Sequence, residues 1–235
     1  MFDVKMLRAL ALAAALAAGH AVAAPADDLR KAVEFDDGNT VQKLVARGVN
    51  PNLKDRKGDP LLVQALREKS LKAARALINA KDIDFDQPNA AGETALMMAS
   101  LQGELEMVKL MVDDKEVEIN KTGWTPLHYA ATNGHLEIVQ FLLERSAYVD
   151  PESPNGTTPL MMAARGGYAE IVKVLLEEGG ADLRMRNQQG MTAIDFAEQY
   201  NQPEIAAGLK SRWQKVYGQQ PPEPRTPRPV TPGKG

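Results

Sequence analysis

The sequence predicts an all-α chain built from serial helix–turn–helix units, with loop fingers projecting between them. Three observations carry this reading. Glycines at 58, 92, 123, 156 and 190 recur at intervals of 34, 31, 33 and 34 residues. Seven residues after each stands an alanine: Ala65, Ala99, Ala130, Ala163 and Ala197. Four residues after each stands an aliphatic side chain: Leu62, Leu96, Leu127, Leu160 and Ile194. A fixed period of this length marks stacked structural repeats.

The first residues differ from the rest. Lys5 and Arg8 precede an apolar, Ala-rich run over 9–18, and Ala21-Val22-Ala23 forms a small-x-small cleavage pattern. Residues 1–23 therefore read as a secretory signal peptide. The run is too short to cross a bilayer as a stable helix. Cleavage is expected after Ala23, because cutting one residue later sets Pro25 just past the scissile bond. A bacterial periplasm is the expected destination, and the absence of Cys fits a chain with no disulfides to manage there.

Within each unit the first helix is expected to start at Thr94, Thr125, Thr158 or Thr192, whose hydroxyl can cap free N–H groups of the first turn. Pro126 and Pro159 follow at the first helical position, where a missing N–H costs nothing. Gly103, Gly134 and Gly167 end this helix, where positive φ is needed. A second apolar run then falls on one helical face: Met107-Val108 with Leu110-Met111, Ile138-Val139 with Leu142-Leu143, and Ile171-Val172 with Leu175-Leu176. Gly48 and Gly179-Gly180 mark the exit. The recurring alanine lets a neighbouring helix approach closely, and no unit can bury its apolar face alone.

Composition bounds the function. The chain has 235 residues, a net charge of −3 and no Cys. Nothing in that balance favours nucleic acid or an anionic membrane. Thiolate chemistry, Cys-ligated zinc and a Cys lipid anchor are excluded. From Gly218 the chain reads GQQPPEPRTPRPVTPGKG, so 218–235 is expected to be a disordered, Pro-rich tail. Its Pro224–Pro227 spacing also matches a PxxP ligand.

The segments GWTPLHYAATNGHLEIVQFLL (123–143) and GTTPLMMAARGGYAEIVKVLLEEGGADLRMRNQQG (156–190) resemble ankyrin repeats. The resemblance covers about residues 27–213. It implies an ankyrin-repeat solenoid over 24–217: an N-terminal cap (24–57), repeats at 58–91, 92–122, 123–155 and 156–189, and a C-terminal cap (190–217). The N-terminal cap would use Leu29, Ala32, Val33, Val41, Leu44 and Val45, and the C-terminal cap Leu209, Trp213 and Val216. The Thr-Pro-Leu-His form is complete only at Thr125–His128, while the unit at Gly58 lacks the Thr.

Candidates for chemistry are few. Beyond the leader only His128 and His135 remain, and the resemblance gives both structural roles. Asp82, Asp84 and Asp86 half-match a calcium loop, but Gln87 stands where such a loop needs Gly. Met97-Met98 and Met161-Met162 suit either Cu(I) or core packing. The stretch Asp113–Glu118 reads as a solvated loop or as an irregular finger for a basic partner.

The resemblance implies a non-catalytic module that grips another protein through a concave face of first helices and loops. No cofactor, metal or catalytic residue is expected, and a monomer is. A periplasmic partner is expected, with a protective or an immunity/inhibitor role. The alternative is a metal-binding (Cu or Ca) or enzymatic periplasmic protein. Carried over residue by residue, the contact positions are Glu93, Trp124 and Thr157 after the glycine, Met98, Tyr129 and Met162 on the first helix, and Thr132, Asn133 and Arg165 near its end. Gln199 and Tyr200 share that last register. Trp124 and Tyr129 are the expected anchors, with Arg165 at the edge, because interface hot spots are enriched in Trp, Tyr and Arg.

Overall fold

The computed structural model describes residues 25–221; the expected leader, and the Pro-rich segment from 222 onward, lie outside the described residues. Among the described residues the regular structure is helical, with one isolated bridge between Lys54 and Pro60. The chain divides into two compact units, with the boundary between Ala95 and Leu96.

The first unit holds α1 (25–34), α2 (Gly38–Ala46), α3 (Leu61–Arg67) and α4 (Leu71–Ile78). Its core includes Leu29, Val33, Val41, Leu61, Leu66, Leu77 and Ile78, all buried. Leu44 and Val45, expected in that core, are only half-buried. Asp37 caps α2, its carboxylate accepting from the Thr40 N–H at 3.0 Å. That contact and the Thr40 hydroxyl hold the Asp37 carboxyl below its ordinary range.

The second unit runs from α5 (Ala95–Gln102), whose first residue sits on the boundary, through α6 (Leu105–Lys109), α7 (Pro126–Asn133), α8 (Leu136–Glu144), α9 (Pro159–Gly166), α10 (Ala169–Glu177), α11 (Ala193–Gln199) and α12 (Pro203–Tyr217). Within it α9 packs between α7 and α11, and α8 packs between α6 and α10. Ala99, Ala130, Ala163 and Ala197 are each 0% exposed, as is Ala65 in the first unit. Ala130, Ala163 and Ala197 lie on α7, α9 and α11, the first helices that pack in series, where a larger side chain would overpack the contact.

One capping device recurs with different chemistry. Thr125 and Thr158 precede α7 and α9 in extended conformation, each followed by proline. The residue three positions on reaches back to the cap N–H. His128 Nδ1 accepts from the Thr125 N–H at 3.2 Å. The Met161 sulfur takes the Thr158 N–H at 3.5 Å, and Asp195 takes that of Thr192 at 2.7 Å. Each satisfies a donor that the helix start leaves free.

The turn between paired helices also repeats. Gly103, Gly134 and Gly167 adopt φ of 79°, 80° and 81°, and Asp36, Lys69 and Asn201 take the same left-handed conformation elsewhere. In the second unit glycine is needed twice over. The residue after the turn presses onto the turn glycine of the preceding pair: His135 onto Gly103, Tyr168 onto Gly134, and Gln202 onto Gly167.

In α12, Ile205, Leu209 and Trp213 are buried, but Val216 is exposed, contrary to its expected place in the cap. The next residue explains it. Tyr217, four positions after Trp213, continues the buried face by packing edge-on against the indole at 4.8 Å. Its hydroxyl donates to Asp182 at 3.2 Å.

Candidate functional site

The face under test is that of the first helices and fingers, and in the second unit α7 is its centre. The finger leading into α7 is unusual. From the left-handed exit residue to the next finger glycine the chain counts ten residues at Gly48–Gly58, Asp82–Gly92, Ser146–Gly156 and Gly180–Gly190, but seven at Glu116–Gly123. The preceding helix differs too, since α6 runs into a π-helical turn over Leu110–Asp114. Such a turn accommodates an extra residue in the helix.

Hydrogen bonds locate the missing residues. The four other fingers close on a side-chain turn: Asp55 Oδ1 accepts from the Asp59 N–H at 2.9 Å, Asn89 Oδ1 from Glu93 at 2.9 Å, Ser153 Oγ from Thr157 at 2.9 Å, and Asn187 Oδ1 from Met191 at 3.0 Å. Asn120 stands at the same distance before its glycine but does something else. Its Nδ2 donates to the Ser146 carbonyl at 2.9 Å, and its Oδ1 accepts from Tyr148 N–H at 2.8 Å. Asn52 makes that same pair of contacts to Asp82 and Asp84 from deeper in its finger. The finger before α7 has therefore lost its tip turn and kept its base.

Trp124 follows this shortened finger and is half-buried. Its ring packs edge-on against His128 at 5.2 Å and Tyr129 at 6.1 Å. Tyr129 is also half-buried. Beneath them His128 is fully enclosed, with Nε2 2.9 Å from the Thr157 carbonyl. Nδ1 accepts from Thr125, so the proton sits on Nε2 and is donated to Thr157. Burial pushes the His128 pKa down to about 4, against the carbonyls of Thr157 and Pro151 that favour its charge. It is a neutral brace between two adjacent repeats of the second unit at ordinary pH. His135 is likewise structural, with Nε2 2.9 Å from the Leu101 carbonyl.

Arg165, at the end of α9, is exposed. Its guanidinium lies over the Tyr200 ring at 4.6 Å, and Tyr200 stacks in turn on Phe196 at 6.2 Å. Thr132 is half-buried and donates its hydroxyl to the His128 carbonyl at 2.7 Å. Asn133 is exposed, its amide donating to the Leu101 carbonyl at 2.9 Å. Glu93, in the first unit, is half-buried and accepts from Asn89 at 2.7 Å.

Three expected contact residues are not on the surface. Met98 and Thr157 are 2% exposed and Met162 is 8% exposed. Each is core. The close helix spacing set by the following alanine covers Met162 between α7 and α11, and Thr157 is sealed by its bonds to Ser153 and His128. Met97 and Met161 are buried as well. In the acidic stretch Asp113, Asp114, Glu116 and Glu118 are exposed, and Asp113 is held in a two-pronged pair by Arg145 of α8's exit, at 2.8 and 3.1 Å. The Asp82–Asp86 segment lies in a finger, where Asp84 accepts from the Asp86 N–H at 2.9 Å. Among the described residues no group of three or more His, Asp or Glu side chains is placed to hold a metal ion. No helix there is long and apolar enough to cross a membrane.

Two exposed aromatics carry no repeat signal. Phe35, 77% exposed, lies in the α1–α2 turn, and Tyr148, 69% exposed, lies in the loop after α8. The stack of Tyr200 beneath Arg165 was readable only as two residues in one register.

A family model described as ankyrin repeats (3 copies) matches residues 29–122, 62–154 and 147–216. The chain is an ankyrin-repeat protein. Its curated relatives include zebrafish inversin, 43% identical over 70 residues, which is 28% of this chain and 7% of that protein. Mouse protein phosphatase 1 regulatory subunit 27 is 33% identical over 100 residues, 42% of this chain and 65% of the relative. Zebrafish Notch-regulated ankyrin repeat-containing protein B is 36% identical over 91 residues, 36% of this chain and 81% of the relative. The chain thus spans under a tenth of inversin and just under two thirds of the phosphatase subunit. Membership in the ankyrin-repeat family makes it a protein–protein interaction module.

Proposed function

We propose that this ankyrin-repeat protein is a non-catalytic binder, exported to the periplasm by its first 23 residues, that holds a periplasmic protein through the first-helix face of its second unit. The observation that carries this reading is the aromatic pair Trp124–Tyr129, half-exposed beside a finger that has lost its tip. A large aromatic surface left partly open on a rigid stack loses little ordering entropy on binding. One relative, from mouse, is named as a regulatory subunit of protein phosphatase 1. A protective or an immunity role suits such a binder, and the chain acts as a monomer.

The test is a pull-down from periplasmic extract with the wild type and with the Trp124→Ala, Tyr129→Ala double variant. The expected outcome is one or more proteins recovered by the wild type and lost by the variant, with its circular dichroism unchanged. Equal recovery of every protein by both would overturn the assignment of the face.

A further inference from the structure

Arg165 stands apart from the other arginines of the second unit. Arg145 is taken by Asp113, Arg184 by Asp182, Arg186 by the Gly190 carbonyl, and Arg212 by Glu177 and the Leu176 carbonyl. Arg165 shows no oxygen acceptor among the described residues. It is nevertheless held: its guanidinium carbon lies over the Tyr200 ring, 4.6 Å from the ring centre, and Tyr200 rests on Phe196 with the rings 20° from parallel. The ring contact holds the cation in place through its π face and consumes none of the five N–H donors of the guanidinium. A guanidinium with its N–H groups uncommitted can grip the two oxygens of a carboxylate through two parallel bonds, and in a polypeptide partner Asp and Glu supply that group.

We infer that Arg165 on its Tyr200–Phe196 platform is a carboxylate receptor, and that the partner presents an Asp or Glu side chain to it from a segment that also packs on Trp124 and Tyr129. The inference rests on the binding face proposed above and adds the chemistry of its occupant. Charge decides in favour of an acidic segment, because a basic one would set like charge against this exposed cation at the edge of the contact and a neutral one would leave its N–H fork to water. The platform matters as much as the charge. Lysine at 165 would keep the positive charge and lose the fork of donors.

Selection of phage-displayed random dodecapeptides on the full chain tests this, followed by titration of the selected peptides as synthetic molecules. Asp or Glu next to an apolar or aromatic residue should be enriched. Affinity for such a peptide should fall about ten- to a hundredfold with Arg165→Gln. It should fall as far when the peptide's acid becomes its amide, and the two changes together should cost little more than either alone. Tyr200→Leu should weaken binding while leaving the melting temperature near that of the wild type, since Tyr200 is 41% exposed. Peptides that require Trp124 and Tyr129 but show no acidic enrichment, or that bind Arg165→Gln equally well, leave the face standing and overturn the carboxylate assignment. If no peptide is lost by the Trp124→Ala, Tyr129→Ala variant, the face and the inference fall together.

Discussion

His128 shows how one residue ties cap, stack and site together. It closes the start of α7 through Thr125, braces the next finger through the Thr157 carbonyl, and supports the Trp124 ring from below. Burial holds it neutral, with a pKa of about 4 in the folded chain. An unfolded histidine titrates near 6.5. Between those values the unfolded chain binds the extra proton, so the contribution is full above pH 6.5 and is lost as pH falls toward 4. The loss amounts to about 3 kcal/mol. Met161 fills the same position one unit later, so His128→Met keeps a plausible packing group and removes the titration. Urea unfolding across this window should show a steeper loss of stability for the wild type than for His128→Met; parallel curves would contradict the account. Gly134 offers a second residue-scale test. Alanine there costs about 1–2 kcal/mol for its left-handed backbone alone, and its methyl group would also run into the Tyr168 ring. Gly58→Ala meets a similar φ with nothing nearby. Thermal unfolding should therefore rank Gly134→Ala below Gly58→Ala.

At the scale of the element, the contact between first helices depends on a one-carbon side chain. Ala130 faces this contact from α7 and is wholly enclosed. Ala130→Leu should destabilise the chain by about 1–3 kcal/mol in chemical denaturation, while Ala207→Leu, on the exposed side of α12, should fall within about 0.5 kcal/mol of wild type. The sequence shows such elements well where one residue type does one job. The five alanines, the turn glycines and the threonine caps each announce themselves by spacing. It shows less where different residues do the same job. His128, Met161 and Asp195 all serve one cap, and Asp36, Lys69 and Asn201 adopt a turn usually left to glycine. The shorter interval before Gly123 betrays a shortened finger, but only the bonds of Asn120 show that its tip, and not its base, is gone.

For the whole molecule, a repeat architecture assigns most side chains to the stack and leaves function to the few that remain. That division explains which site residues were legible. Trp124, Tyr129 and Arg165 retain exposed surface, whereas Met98 and Met162, in the register of Tyr129, and Thr157, next after its finger glycine like Trp124, are covered. Position within a repeat does not reveal cover; neighbouring side chains decide it. On the proposed function a partner is held by the first-helix face centred on α7, with the second helices left free. Amide hydrogen exchange of the chain alone and with a captured partner measures this most directly. Slowed exchange over 123–133 and around Arg165 and Tyr200, with α8 and α10 unchanged, is the predicted result. Protection confined to α8, α10 and α12 would contradict it.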